Sequence, residues 1–495
     1  MSSILTLFES IVSANPDKTA IELRDQSLSF QELALRSKQI GIIIQNTGLV
    51  NKPIGVFADR EIEPLVGFIG VLYSKNFYVP IDVEMPAEKI KYIIENAGIS
   101  VMLCNRKYDD ILKKIDYKGK TIHYDGLSSD EYNVSADFEA DLLYMVYTSG
   151  STGKPKGVLK TQSAEINFID IYWKRMKFNK EDVIGNQTPF FFDAASKDIY
   201  LMLCKGITMV IIPTELFALP PELIDYLNKK KITVASWVPT VISLIAMLNP
   251  FSMYKPTTLR MILLVGEVMP MKHLNVWRKA LPDIKYVNLY GQTEIAGICS
   301  YYEVKDEFKN TDTLPIGKAL DNCKIYLIDN ESIVTEQNHV GELYIVSQAL
   351  AQCYWNDEEK TNQNFLYRDF GNGPVRCFKT GDMAQYDSDG NLVFASRRDN
   401  QIKHMGHRIE LGEIETAADS LPYIARCCCV YDEDKRKIAL FCQLTPESTK
   451  TGKEIRSDLK RLLSSYMLPG KIIIKETLPL NRNGKIDRQE LKTEM

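Results

Sequence analysis

A chain of 495 residues is longer than one compact core usually supports, so two or more domains are expected. With 45% hydrophobic and 25% charged residues it has an ordinary globular balance, and a net charge of −4 excludes the basic field of a nucleic-acid binder. No apolar run approaches the ~20 residues of a membrane span. Met1–Ala14 lacks a basic start and is interrupted by Glu9, so it is not a signal peptide and the expected compartment is the cytoplasm.

Short apolar strands alternate with helical patterns through the first half. Lys52–Ala58 reads as a strand, Glu63–Ser74 as a helix, Phe77–Ile81 as a strand, Glu88–Asn96 as a helix closed by Gly98, and Ile99–Cys104 as a strand. Further on, Ile207–Pro213, Ile232–Val238, Leu259–Val265 and Tyr286–Leu289 are rich in strand formers, with helices such as Pro221–Lys229 between them. The alternation predicts a large α/β N-terminal domain with mostly parallel sheets. Between Cys323 and Ser396 the pattern changes to strands joined by turns (Lys324–Asp329, Gly341–Val346, Asn391–Ala395), a small barrel or antiparallel sheet. The last hundred or so residues read as a small α+β domain: helix Glu413–Ser420, strands Cys427–Tyr431 and Lys437–Leu444, helix Lys453–Tyr466 and strand Lys471–Lys475. The division is placed between 1–396 and 397–495.

The ten cysteines include no Cys-x-x-Cys pair, and none of the five histidines sits at metal-ligand spacing. Cys427, Cys428 and Cys429 are adjacent, and buried, reduced thiols are expected.

After the apolar strand Leu142–Val146 comes Tyr147-Thr148-Ser149-Gly150-Ser151-Thr152-Gly153-Lys154-Pro155-Lys156-Gly157. Glycines leave backbone N–H groups open, and hydroxyls and two lysines add donors and positive charge, which suits a polyphosphate. The spacing is not that of a Walker A loop. By composition alone a flexible surface turn is the better reading of the segment, since glycine–serine loops are common.

The string resembles the signature loop of the acyl-adenylate-forming superfamily, which includes acyl-CoA synthetases, luciferases and nonribosomal peptide synthetase adenylation domains. Further resemblances follow in the family's order. They are Leu28-Ser29-Phe30-Gln31-Glu32-Leu33, Phe77–Asp82, Phe192-Asp193-Ala194, Asn288-Leu289-Tyr290-Gly291-Gln292-Thr293-Glu294, Gly341-Glu342-Leu343, Lys379-Thr380-Gly381-Asp382, Arg397–Lys403, Gly406–Glu415 and Leu478–Arg488.

The resemblance implies a role for each matching position. Thr148, Ser149, Gly150, Ser151, Thr152, Gly153 and Lys156 cradle the phosphates of ATP. Lys485 bridges the substrate carboxylate and the α-phosphate, where two anions must meet. Glu294 is the Mg2+ ligand. Tyr290 stacks on adenine beside Asn288, Leu289, Gly291 and Thr293, with Gln292 in place of a proline found in many relatives and expected to matter little. Asp382 accepts the ribose hydroxyls and Arg397 reaches the same sugar. Asp399 is the hinge about which the C-terminal domain swings to a second state, in which Lys485 leaves and Lys403–Gly406 approaches.

The same resemblance gives an acid pocket of Asp193, Ala194, Lys197, Ser236, Leu263, Val265, Leu289, Gly297, Ile298 and Lys485, with Gly266 beside it. Asp193 matches the aspartate that pairs with a substrate ammonium, which implies a small amino acid. Lys197 suggests an acidic side chain or a lysine turned to solvent beside Asp198. Gly266-Glu267-Val268-Met269-Pro270 and the single activation module resemble D-alanine–carrier protein ligases and stand-alone adenylation enzymes. The implied acceptor is the phosphopantetheine thiol of a separate carrier protein, with coenzyme A as the alternative and a non-catalytic nucleotide-binding homologue more remote.

Overall fold

Ser29 and Glu32 explain why a helix begins where the first motif lies. The Ser29 hydroxyl accepts the Glu32 N–H at 3.2 Å and the Glu32 carboxylate accepts the Ser29 N–H at 2.8 Å, a reciprocal cap that starts Phe30–Gln45. The computed structural model describes residues 3–125, 127, 141–150, 154–398, 401–433, 435–480 and 486–495.

Two large sheets build the N-terminal part. In the nine-stranded sheet, Lys285–Tyr290, Met261–Val265, Val234–Trp237, Val183–Asn186, Thr208–Ile211 and Thr19–Leu23 run parallel, and antiparallel strands close both edges. Its register sets Ser236 beside Leu263 and Val265 beside Leu289. Residues from three neighbouring strands therefore meet at the carboxyl ends, where ligands bind in open α/β sheets. In the seven-stranded sheet, Phe77–Ile81 pairs in parallel with Pro53–Phe57 and with Leu142–Thr148, and the last of these turns back antiparallel as Lys156–Thr161. The phosphate-loop candidate is the tip of that hairpin, since Thr148 pairs with Lys156. The strands Pro53–Phe57 and Phe77–Ile81 are buried throughout, as a sheet covered on both faces requires. Each fully buried Val, Leu or Ile there stabilises by roughly 1.5–3 kcal/mol.

The region that reads as a barrel or antiparallel sheet is an antiparallel sheet of six strands. Within it the long strand Pro374–Tyr386 pairs with Leu392–Arg397, setting Asp382 directly opposite Arg397.

Residues 401–495 form a two-stranded hairpin, Gln401–His404 with His407–Glu410, and a three-stranded sheet with helices on it. Cys427 and Cys429 pack on one face of that sheet and Cys428 on the other, the alternation a strand imposes on adjacent residues. All ten cysteines are free thiols. One expected element is shorter than the sequence suggests. The helix begins at a Thr451–Glu454 cap but ends at Leu459 rather than continuing to Tyr466. Ser464 takes an extended backbone and starts a separate turn, Ser465–Met467, so that Leu463 and Met467 both reach the core that Leu459 fills.

Candidate active site

Glu294, just past the end of strand Lys285–Tyr290, and Asp382, inside strand Pro374–Tyr386, both face the C-terminal hairpin. Glu294 sits in the short turn Thr293–Ile295 after strand Lys285–Tyr290 and is fully buried. Its Oε1 accepts from the Tyr354 hydroxyl at 2.8 Å and from Lys156 Nζ at 3.2 Å, and its Oε2 pairs with Arg408 at 2.8 Å. Burial alone would raise the Glu294 carboxyl, but Arg408 and Lys156 hold it well below the usual carboxylate range. The same burial, with Arg408 close by, pulls Lys156 down to about 8 against the attraction of Glu294. Gly291 must be glycine here, because a Cβ would lie 2.0 Å from the Gly297 carbonyl oxygen.

Around the Asp382 carboxylate three polar side chains converge. Tyr290 and Gln292 each donate to Oδ2 at 2.5 Å, and Arg397 pairs with Oδ1 at 2.5 Å. Gln292, expected to be of little consequence, thus holds the carboxylate assigned to the ribose. Asn288 donates instead to the Pro315 carbonyl at 2.8 Å. The Gly-Glu-Leu motif finds its purpose alongside: Glu342 accepts the Gly381 N–H at 3.2 Å and pairs with Arg398 at 3.0 Å, fixing both strands that carry Asp382 and Arg397.

The hairpin enters between these groups. Lys403 lies 5.5 Å from the centroid of the Tyr290 ring, and burial lowers its pKa against the pull of Asp382. The Ser149 hydroxyl donates to the Arg408 carbonyl at 2.8 Å, so the phosphate-loop candidate touches the hairpin. Gly406 donates its N–H to Glu267 at 2.8 Å, and Glu267 also receives Thr240 and Arg436. His407 stacks on Tyr466 at 3.8 Å and meets Phe192 edge-on at 4.8 Å. Lys89 and Glu413 pair across the same junction.

The residues expected to line an acid pocket fall near the carboxyl ends of neighbouring strands and in the turns after them. Ser236, Val265, Ile298 and Asp193 are buried, Ala194 is half-buried, and Gly266 and Gly297 turn the chain at positive φ. Asp193 Oδ1 accepts from the Tyr144 hydroxyl at 2.9 Å and lies 3.6 Å from Lys160 Nζ, while Oδ2 faces Gly297. Lys197 neither points to solvent nor stands free. It is buried, donates to the Ala194 carbonyl at 2.6 Å and pairs with Asp198 at 3.3 Å, so its charge is neutralised within the protein.

Lys485, Asp399, Ser151, Thr152 and Gly153 lie outside the described residues. Sequence reasoning missed Lys160, Tyr144, Glu165, Arg408, Tyr354 and Glu267. Lys160 alone leaves a signal, a lysine inside a strand otherwise suited to full burial. Away from this site, Cys104, Asp109 and His123 bring their ligand atoms within 4.8 Å, which their spacing does not suggest. The thiol faces Nδ1 at 3.8 Å and the carboxylate faces Nε2 at 3.5 Å, on opposite nitrogens of one ring, so a single ion cannot use both contacts.

A buried carboxylate set among cations, a second carboxylate held by Tyr290, Gln292 and Arg397, and a glycine–serine hairpin thus lie around the same C-terminal hairpin. The chain belongs to the AMP-binding enzyme family: residues 8–355 match the AMP-binding enzyme domain and residues 413–485 match the AMP-binding enzyme C-terminal domain. It is similar to tyrocidine synthase 1 of Brevibacillus parabrevis, 29% identical over 99% of this chain but only 45% of that protein. The chain spans a minority of the length of the curated relatives it matches first. The fold is that of o-succinylbenzoate CoA synthetase from Bacillus subtilis (TM-score 0.86, 22% identity, 98% of this chain and 97% of that one). It is equally that of holo-PA1221, an NRPS protein containing adenylation and PCP domains (TM-score 0.85, 22% identity, 99% and 84%). Among the described residues no helix is long and apolar enough to cross a membrane.

Proposed function

We propose that this protein is an AMP-forming ligase that activates an amino acid as aminoacyl-AMP, releases pyrophosphate, and passes the aminoacyl group to the phosphopantetheine thiol of a carrier protein. The observation that carries the reading is Asp193, a buried carboxylate at the carboxyl ends of the sheet whose Oδ2 is turned toward Gly297 and the pocket. An acid with an amino group gives that oxygen a donor.

Glu294 fits the Mg2+ that the family's enzymes use with ATP: it is fully buried, ionised and faced by cationic groups, so the position demands positive charge. When bound, the ion offsets the charge of the triphosphate. Lys156 and the hydroxyls of Thr148 and Ser149 hold phosphate oxygens, and Asp382 with Arg397 and Gln292 orients the ribose. Lys485 supplies the charge between the two reacting anions. With Asp399 as hinge, residues 397–495 are the unit that moves.

The thiol-transfer half of the proposal is supported by the hairpin. Lys403 stands over Tyr290 and Arg408 occupies Glu294, an arrangement suited to a step after pyrophosphate has left. Exchange of labelled pyrophosphate into ATP across a panel of amino and aryl acids tests the first half. One or more amino acids should support exchange, and exchange only with aryl acids or unsubstituted aliphatic acids contradicts it. Thioester formation with a carrier protein against coenzyme A separates the two acceptors.

A further inference from the structure

Lys160 is a charged residue in a place that normally holds none. It is 0% exposed, it lies in the strand Lys156–Thr161 directly across from Tyr144, and among the described residues its ammonium has no hydrogen-bond acceptor. Its nearest anion is Asp193 Oδ1 at 3.6 Å. A buried ammonium without hydrogen bonds is tolerated only beside an opposite charge. Asp193 is therefore already paired before any substrate arrives.

The surrounding hydrogen bonds show that no second anion is available to release that pair. The Tyr144 hydroxyl is 2.9 Å from Asp193 Oδ1 and 3.1 Å from Glu165 Oε2. A phenol has one proton and cannot donate to two carboxylates at once. Asp193 is the nearer to the phenol and lies against the Lys160 ammonium, so Tyr144 donates to Asp193 and the extra proton sits on Glu165, which donates to the phenol oxygen. Burial raises both carboxyls; the Asp193 charge adds to it at Glu165, pushing that group up to about 8, whereas Lys160 and the Tyr144 hydroxyl oppose it at Asp193. The cluster thus holds one cation, Lys160, and one anion, Asp193.

In a pocket where the aspartate stands alone, the substrate ammonium supplies the only compensating charge, and an acid without it leaves a buried anion unpaired. Here the charge is balanced internally, and Asp193 Oδ2 needs only a hydrogen-bond donor. Resting on the adenylating reading above, we infer that Lys160 is a specificity-determining residue, acting through Asp193, that opens this pocket to 2-hydroxy acids as well as amino acids.

The test is pyrophosphate exchange with four matched pairs: alanine and lactate, leucine and 2-hydroxyisocaproate, phenylalanine and phenyllactate, glutamate and 2-hydroxyglutarate. The pair with the faster wild-type exchange is then measured in Lys160→Met, Lys160→Gln and Lys160→Arg, with thermal melts to show that each is folded. Removing the ammonium in Lys160→Met or Lys160→Gln should raise the amino-to-hydroxy ratio of kcat/KM by about tenfold or more, the scale of a close buried charge pair, chiefly through the amino acid's KM. Lys160→Arg, which keeps the charge, should return the wild-type ratio. Lys160→Gln is the milder change and stands alone if Lys160→Met does not fold. An unchanged or falling ratio in a folded neutral variant overturns the inference and leaves the adenylation reading intact. So does a wild-type enzyme inert toward every 2-hydroxy acid while active on amino acids. Exchange with no member of any pair overturns both.

Discussion

Glu294 gathers three cationic or proton-donating neighbours, and the charge of each has a consequence at the bench. Glu294→Gln keeps the shape but removes the anion, leaving Lys156 and Arg408 facing each other without it. We expect pyrophosphate exchange to fall by about 100-fold, the scale of one lost preorganised electrostatic group. Exchange near the wild-type rate would remove Glu294 from the ATP site. Lys156 adds a pH signature. Its pKa is lowered, so it is charged below about pH 8 and neutral above, where the phosphates lose a cation. The expected result is a fall in kcat/KM for ATP as pH rises past about 8, reporting the free enzyme, and a flat profile over that range in Lys156→Arg. Single residues were also where the sequence was least legible. Asp193, Glu294, Asp382 and Tyr290 could be named from motifs, but their partners could not. Gln292 reaches Asp382 across 90 positions and Arg408 reaches Glu294 across 114, distances over which neither spacing nor periodicity carries a signal.

At the level of elements the sequence is far more readable. Phe77–Ile81 and Lys437–Leu444 fall where their apolar runs and flanking turns put them, because an almost wholly buried strand has few other ways to hide its side chains. The helix that stops at Leu459 shows the limit. Its apolar spacing continues, yet the backbone turns at Ser464 to bring Tyr466 onto His407, a partner in another element. The hairpin Gln401–Glu410 carries the sharpest prediction at this scale. Gly406 has φ +81°, and a Cβ there would lie 2.8 Å from Val238 Cγ1. Gly406→Ala is both strained and crowded, so the hairpin should no longer seat against Glu267. Thiol transfer should fall by about tenfold or more while pyrophosphate exchange persists. Equal loss of both half-reactions would mean that Gly406 serves the fold and not the seated hairpin.

Across the whole molecule, the two large sheets supply a fixed floor and residues 401–495 supply a hairpin that closes it. Among the described residues the contacts between them are largely polar, and include Arg408 with Glu294 and Ser149, Gly406 and Arg436 with Glu267, and Lys89 with Glu413, beside the ring contact of His407 with Phe192. Polar junctions of this kind suit surfaces that part and rejoin. In the proposed reaction each half-reaction draws on its own lysine from the same small domain, Lys485 for acid activation and Lys403 for delivery to the thiol. The most direct test is the pyrophosphate exchange rate of Lys485→Ala. Exchange should drop by about 100-fold or more, while preformed acyl-adenylate is still delivered to the thiol. Exchange at the wild-type rate would contradict the division of labour on which the account stands.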